Sequence, residues 1–523
     1  MKKSSQLIKD VVIVGGGAAG WWTAGFLSCK NPELNITLVD FDKVHPIGVG
    51  ESMLPLIKEF FNKMDLKESV WMKETKSIYK IGNRFLDWYN KGDDRFLSFW
   101  WNFDDRLIRS SLYNRPGPEI FWGQKKEARF TDYWLHLYFN KEKTKEDFFY
   151  DIQDAAGLLE NKCSPVDLNG NSYLSNWAGY AYHIDAIGSI KIIQNNVALP
   201  NGVKHINGMV TDVIIKDDNI NYIKLADESI IKGDLFIDCS GFARILMNKF
   251  DTSLKLYHTT FNDSVCVSPI KYNNYNKEVV PYTVSAAKEN GWQFIIPLTS
   301  RIGSGYIYSS KYMSDNEAKE AFVSSWPNNK MLLDEPRIIK WIPSRLKKSW
   351  QGNVCAIGMS CGLIEPLEAN SLYISQYAIE TLSNLLIKKN YMLDQNIQSI
   401  FCKFTDVIYD QTAEYLSAWF LSTNRTDTEY WRDYKKLGEK EKIKELIESH
   451  YASKYDPSRH GLNADSTWTP LGLFTNSFSK KSITKVNPNL IENAKAMFEY
   501  NKKITINNGK ILPKIWEVCP YDP

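Results

Sequence analysis

The first residues in this chain whose types and spacing point to chemistry are glycines. Asp10 to Val14 (DVVIV) reads as a buried parallel strand that runs into Gly15-Gly16-Gly17-Ala18-Ala19-Gly20 and then into an Ala/Trp/Leu helical run ending near Cys29. This is G-x-G-x-x-G placed between a strand and a helix. In that setting Gly15 makes the tight turn and Gly17 lets the backbone approach a pyrophosphate. Gly20 lets helix and sheet pack closely, and the phosphate rests on the helix N-terminus, where Ala18 and Ala19 lie. A second strand, Asn35 to Val39, ends in Asp40, about 20 residues beyond the last glycine, where a carboxylate accepts hydrogen bonds from a ribose. The chemistry indicated is capture of a dinucleotide, and these residues alone do not choose between FAD and NAD.

The rest of the composition narrows the partner. Over 523 residues, 64 Lys plus Arg nearly balance 61 Asp plus Glu, and no long block of one sign occurs, which argues against electrostatic capture of nucleic acid and for a small molecule. The start, MKKSSQLIKDVVIVGGG, is basic but has no A-x-A pattern, and no stretch approaches the ~18 consecutive apolar residues of a membrane span. A soluble, cytoplasmic protein with no membrane partner is expected. The cysteines (29, 163, 239, 266, 355, 361, 402 and 519) include no C-x-x-C, and the histidines form no H-E-x-x-H or H-x-H group. Reduced, packed thiols and no metal site follow. Aromatic residues make up 13% of the chain, with 17 Trp, enough to build a pocket for flat, π-rich ligands.

Several later segments carry a family resemblance. Gly233 to Gly241 (GDLFIDCSG) and Asn353 to Gly358 (NVCAIG) resemble the strand-and-turn elements that Rossmann flavoproteins place against the flavin, the second of them ending at Gly358. Pro46-Ile47-Gly48-Val49-Gly50-Glu51-Ser52 resembles the G-V-G-E-[AS] strap that lies along FAD in flavin-dependent tryptophan halogenases, which makes Gly48, Val49, Gly50 and Glu51 cofactor-binding candidates. Tyr182 to Ala186 (YHIDA), Gly303 to Ser310 (GSGYIYSS) and the predicted helix from Arg425 to Arg432 resemble further segments of the same family. So does Gly291-Trp292-Gln293-Phe294-Ile295-Ile296-Pro297, its G-W-x-W-x-I-P signature with one Trp replaced by Phe294. By this resemblance Trp292 and Phe294 stand between flavin and organic substrate, while His183 and Asp185 are scaffold or cofactor-shell residues. No second G-x-G-x-x-G serves a nicotinamide nucleotide, so reduced FAD is expected from a separate flavin reductase.

The resemblance also assigns the reacting side chains. Thr75 to Phe85 matches the segment that carries the family's essential lysine, here Lys80, whose apolar neighbours suggest a partly dry ammonium; Lys76 is expected one turn away and solvated. Ile364 to Ser371 (IEPLEANS) resembles E-P-L-E-S-T-G, with Glu368 at the substrate-facing glutamate and Glu365 as a loop anchor. The halide-holding turn would then use the backbone of Asn370 and Ser371, and the loss of the family's Ser and Gly would reshape it, favouring bromide or iodide over chloride.

The fold implied is α/β, a Rossmann-type FAD-binding fold of the flavin monooxygenase/halogenase kind. An FAD module is expected over 1–375, with an aromatic-rich insertion around 99–139, followed by a mainly helical region over 376–523 that covers the substrate. The reaction implied consumes FADH2, O2 and halide. A flavin C4a-hydroperoxide would yield hypohalous acid, Lys80 would present electrophilic halogen to an indole or phenol, and Glu368 would take up the ring proton. The rival reading is an FAD-dependent aromatic hydroxylase. Self-association into a homo-oligomer is compatible with all of these features.

Overall fold

The computed structural model describes residues 6–41, 48, 50–98, 128, 130–153, 155–172, 174, 179–326, 332–438, 444–445, 447–448, 471–478, 480, 483 and 485–523. Val49, the core of the aromatic insertion (99–127) and most of 439–470 lie outside them. The chain divides into two compact units that interleave in sequence. The first comprises 1–77, 184–264 and 338–413, and the second 78–183, 265–337 and 414–523.

The first unit is built on a six-stranded sheet in the order Trp350–Gln351, Val354–Ala356, Leu235–Asp238, Asp10–Val14, Asn35–Asp40 and Lys204–Asn207. All its pairings are parallel except that of the Trp350–Gln351 edge strand. Strands covered on both faces read as apolar runs rather than alternating ones, which is why Asp10–Val14 is exposed only at its first residue and Leu235–Asp238 is buried throughout. The crossover from Asp10–Val14 to Asn35–Asp40 is the helix Ala18–Lys30, buried from Gly20 to Ser28, with Trp21 and Trp22 among the largest fully enclosed side chains. A helix apolar all round belongs inside. Its Gly25 faces Ile193 of the helix Ala186–Ile193 with no room for a Cβ.

In the second unit the sheet runs Ser264–Ile270, Ile302–Tyr308, Gly291–Pro297, Tyr282–Ala287, Gly82–Leu86 and Asp94–Ser98. Tyr282–Ala287 pairs in parallel with Gly82–Leu86, and the pairings of Gly291–Pro297 with its two neighbours are antiparallel. Ile78–Lys80 forms a short antiparallel ladder with Ala181–Ile184. The unit's helices include Lys145–Ile152, Ala156–Asn161, Glu429–Leu437 and Ile491–Ile511. Ala156–Asn161 and Ile491–Ile511 touch through Gly157 and Gly509, and the Gly157 N–H donates to Thr505 Oγ1 at 3.0 Å.

Candidate active site

The glycine turn of the first unit is shaped by what its residues lack. Gly15 has φ +119° and lies against the Cys239 carbonyl, so a Cβ would collide there and the backbone would be strained as well. A Cβ on Gly20 would strike the Gly15 carbonyl, and one on Gly16 would strike the Asp40 carboxylate. Gly17 is different. Nothing lies within 4 Å of where its Cβ would be, and it is the N-cap of the Ala18–Lys30 helix. The open spot is therefore at the helix N-terminus, where free N–H groups and the helix dipole favour an anion. That is the fit a pyrophosphate requires.

Two further turns close on the same corner of the first unit. After Leu235–Asp238 the buried Asp238 carboxylate accepts from Ser240 N, Leu246 N and Met247 N at 2.9–3.0 Å and from Ser240 Oγ at 2.6 Å. Burial raises its pKa, against the opposing pull of these donors. After Val354–Ala356 the chain turns at Gly358 (φ +78°), whose missing Cβ leaves room for Ala19 of the dinucleotide helix and, beyond it, Ser375 Oγ. Asp40 ends its strand beside the glycine turn, with Oδ1 held by His205 Nε2 at 2.7 Å. His205 in turn sits edge-on to Trp21, with centroids 5.1 Å apart. No sequence motif singles it out, because it comes from a strand 165 residues away from Asp40.

Glu51 begins the short strand Glu51–Ser52. Enclosure by protein, and secondarily the charge of Asp185, push its carboxyl up to about 7. Asp185 is the N-cap of Ala186–Ile193, accepting from Ile187 N at 2.9 Å, which gives it a structural task. Also in the first unit, Glu368 is 9% exposed in the turn Leu367–Ala369, just before the 19-residue helix Asn370–Lys388. Glu368 (φ 65°) and Ala369 (φ 58°) are both left-handed, a conformation costly for residues with a Cβ. Asn370 braces this turn by donating from Nδ2 to the Glu365 and Leu367 carbonyls, each at 2.6 Å. Glu365, wholly buried, accepts from Asn262 Nδ2 at 2.9 Å. The sequence suggests that losing a glycine at Ser371 reshapes the turn. The structure puts the demand elsewhere: Ser371 is in the first helical turn, where any residue fits, and the left-handed geometry falls on Glu368 and Ala369.

In the second unit Lys80 ends the strand Ile78–Lys80 and is 0% exposed. The register pairs Ile78 with His183 and Lys80 with Ala181, so Lys80 and His183 share a face as diagonal neighbours. His183 is also fully buried, and its Nε2 is 2.8 Å from Thr283 Oγ1. Burial, reinforced by the Lys80 charge, holds its pKa well below the usual histidine range, so it is a neutral neighbour for the ammonium. Lys76 does not stand one helical turn from Lys80. It is a left-handed, half-buried residue (φ 49°) in the turn entering the strand, because the helix Glu68–Glu74 ends first.

Trp292 and Phe294 lie on one face of the strand Gly291–Pro297, with ring centroids 6.2 Å apart. Gly305 across the ladder has no side chain, and the Phe294 ring occupies that space. The 425–432 segment is only half helix. Arg425 forks onto Asp427 (2.9 and 2.7 Å) and stacks 4.6 Å from Trp431, Thr428 caps, and the helix starts at Glu429. The reason is local: the Thr428 side chain accepts from Trp431 N, which stops the helix from extending backwards.

Similarity to known proteins decides the family. A tryptophan halogenase profile matches residues 10–486. The chain belongs to the tryptophan halogenase family. It is 31% identical over 483 residues to the 7-chloro-L-tryptophan 6-halogenase of Kutzneria sp. (strain 744), covering 86% of this chain and 88% of that one. It is 28% identical to the tryptophan 7-halogenase of Lentzea aerocolonigenes, covering 86% and 83%. The crystal structure of a tryptophan 6-halogenase from Streptomyces toxytricini superposes with a TM-score of 0.83 at 28% identity, covering 98% of this chain and 99% of that one. The protein is thus a flavin-dependent halogenase with an α/β FAD-binding fold and a helical C-terminal region, and it works with FAD, O2 and halide. Family membership favours halogenation over the hydroxylase reading. Among the described residues no helix is long and apolar enough to cross a membrane and no cluster of three metal-binding side chains occurs; all eight cysteines are unpaired.

Proposed function

We propose that the chain transfers electrophilic halogen to an electron-rich aromatic, an indole such as tryptophan or a phenol, with Lys80 as the group that handles the halogen. The observation that carries this is Lys80 itself: a lysine at zero exposure, beside a histidine held neutral, at the position that matches the family's essential lysine. Reduced FAD, delivered by a separate reductase in the cytoplasm, supplies with O2 the oxidising power that converts halide to an electrophile. Gly15, Gly17, Ala18, Ala19 and Gly20 would hold the pyrophosphate, Asp40 the ribose, and Gly48, Val49, Gly50, Glu51 and Gly358 the remainder of the cofactor. Asn370 and Ser371 would offer backbone N–H groups to the halide at the start of their helix. Trp292 and Phe294 would keep the organic substrate from the flavin. Lys80 Nζ would donate to hypohalous acid or carry the halogen as a haloamine, and a Glu368 carboxylate oxygen would accept the proton lost on rearomatisation. The helices beyond residue 375 would cover the substrate.

The test is to incubate the protein with FAD, NADH, a flavin reductase, O2 and a panel of indoles and phenols in chloride, bromide or iodide, reading products by mass spectrometry. Halogenated product is expected, with bromide or iodide turned over faster than chloride. Hydroxylated product would overturn the reading, and a strong chloride preference would overturn its halide part.

A further inference from the structure

The second unit carries a cavity that Lys80 does not line. A cavity of about 150 Å³ opens beyond the far end of the strand Gly82–Leu86, walled by the rings of Phe85, Trp88, Trp419 and Phe474. That volume is about what one aromatic ring fills. Phe85 and Trp419 are stacked, with centroids 4.3 Å apart and planes at 11°, so the wall is already a rigid π-surface. The polar side of the cavity is cationic, with Lys145 and Arg95 both lining it. Arg95 also packs over the Phe474 ring, 6.0 Å from its centroid.

The local anions leave room for another. Asp93, which also lines the cavity, accepts from Asn90 N at 2.7 Å and is committed to that turn. Glu146 is exposed and reaches Arg95 at 3.6 Å. Lys145 Nζ has a carbonyl partner, Phe474 O at 3.3 Å. Burial and the facing Arg95 pull Lys145 down to about 8, against the opposing pull of Glu146 and Asp93, so its charge is under-compensated. Phe85 is five residues from Lys80, at most about 16 Å along an extended chain, and neither Lys80 nor any other residue of its strand lines the cavity.

We propose that this cavity binds a single-ring aromatic carboxylate, its ring between the Phe85–Trp419 wall and Phe474 and its carboxylate on Lys145 and Arg95. The site reaches the aromatic strand of the family signature, since Trp88 lies 6.1 Å from Trp292, ring centroid to centroid. A bound ring is thus placed to stiffen that strand.

The test uses the full chain with FAD and 4-fluorobenzoate as probe, followed by fluorine NMR line broadening. Saturable binding is expected, weakened about tenfold by Lys145→Met through loss of one charge-assisted contact and similarly by the cavity-filling Ser422→Phe. Lys80→Ala should stay within about twofold of the parent. Affinity should fall as pH rises from about 7 to 9.5 and Lys145 loses its proton. If one cavity variant fails to fold by circular dichroism, the other decides. No saturable binding below about 10 mM, binding untouched by the folded cavity variants, or binding lost in Lys80→Ala overturns the proposal.

Discussion

In the first unit the groups proposed to hold the cofactor are backbone groups uncovered by missing side chains, whereas in the second the group proposed to handle the halogen is one long cationic side chain at zero exposure. Gly15, Gly20 and Gly358 have no room for a Cβ, and Gly17 has room that a ligand can use. Lys80 has no exposure at all, and its diagonal neighbour His183 is held neutral. A cradle of the first kind binds whatever presents phosphate, and it is written in glycine spacing. A buried ammonium is specific to a reaction, and its meaning depends on what surrounds it.

Variants in the two units should separate binding from chemistry. The largest effect after loss of Lys80 is expected at Glu368. Glu368→Gln keeps the shape but removes the proposed proton acceptor, so turnover should fall about 10²- to 10³-fold with FAD affinity unchanged, as measured by kcat and flavin titration. Gly15→Ala should cost roughly 3 kcal/mol or more and abolish FAD binding, because it adds both a clash with Cys239 and backbone strain; a denaturant titration reads it. Gly17→Ala sharpens the contrast. It meets no protein atom, so stability should hold while FAD affinity drops about tenfold.

Glu51 gives a pH signature. Its folded pKa of about 7 lies above the ordinary glutamate value of 4.5, so the folded state binds the proton more tightly and stability declines as pH rises from about 4.5 to 7. Glu51→Gln should therefore raise the Tm relative to the parent at pH 8 and leave it nearly equal at pH 4.5. An equal shift at both values would contradict the assignment. The smallest effect is at Ala369. Ala369→Gly relieves a left-handed alanine and should stabilise by about 0.5–1 kcal/mol in thermal unfolding.

What the sequence shows follows the same division. The strand Asp10–Val14, the helix Ala18–Lys30 and the strand ending at Asp40 are local patterns of apolar run, glycine and acid, and all three form as read. The Gly291–Pro297 and Ile302–Tyr308 segments are likewise strands. Contacts made across long stretches of chain are not legible. His205 on Asp40, Thr283 on His183 and Cys239 against Gly15 each join residues at least 100 positions apart. Two misreadings have local causes. Lys76 is in a turn because the preceding helix stops at Glu74, and the 425–432 motif splits at the Thr428 cap. The strain at Glu368 and Ala369 has no sequence signal, since neither residue type prefers the left-handed region.

The proposed assignment of halogen transfer is to the lysine and not to the cradle. It is tested most directly by comparing Lys80→Ala with the parent in a single turnover from pre-reduced FAD, alongside an FAD titration. FAD affinity should stay within about twofold of the parent, with a loss of halogenated product of about 100-fold or more. Product formed at the parent's level by Lys80→Ala would contradict it.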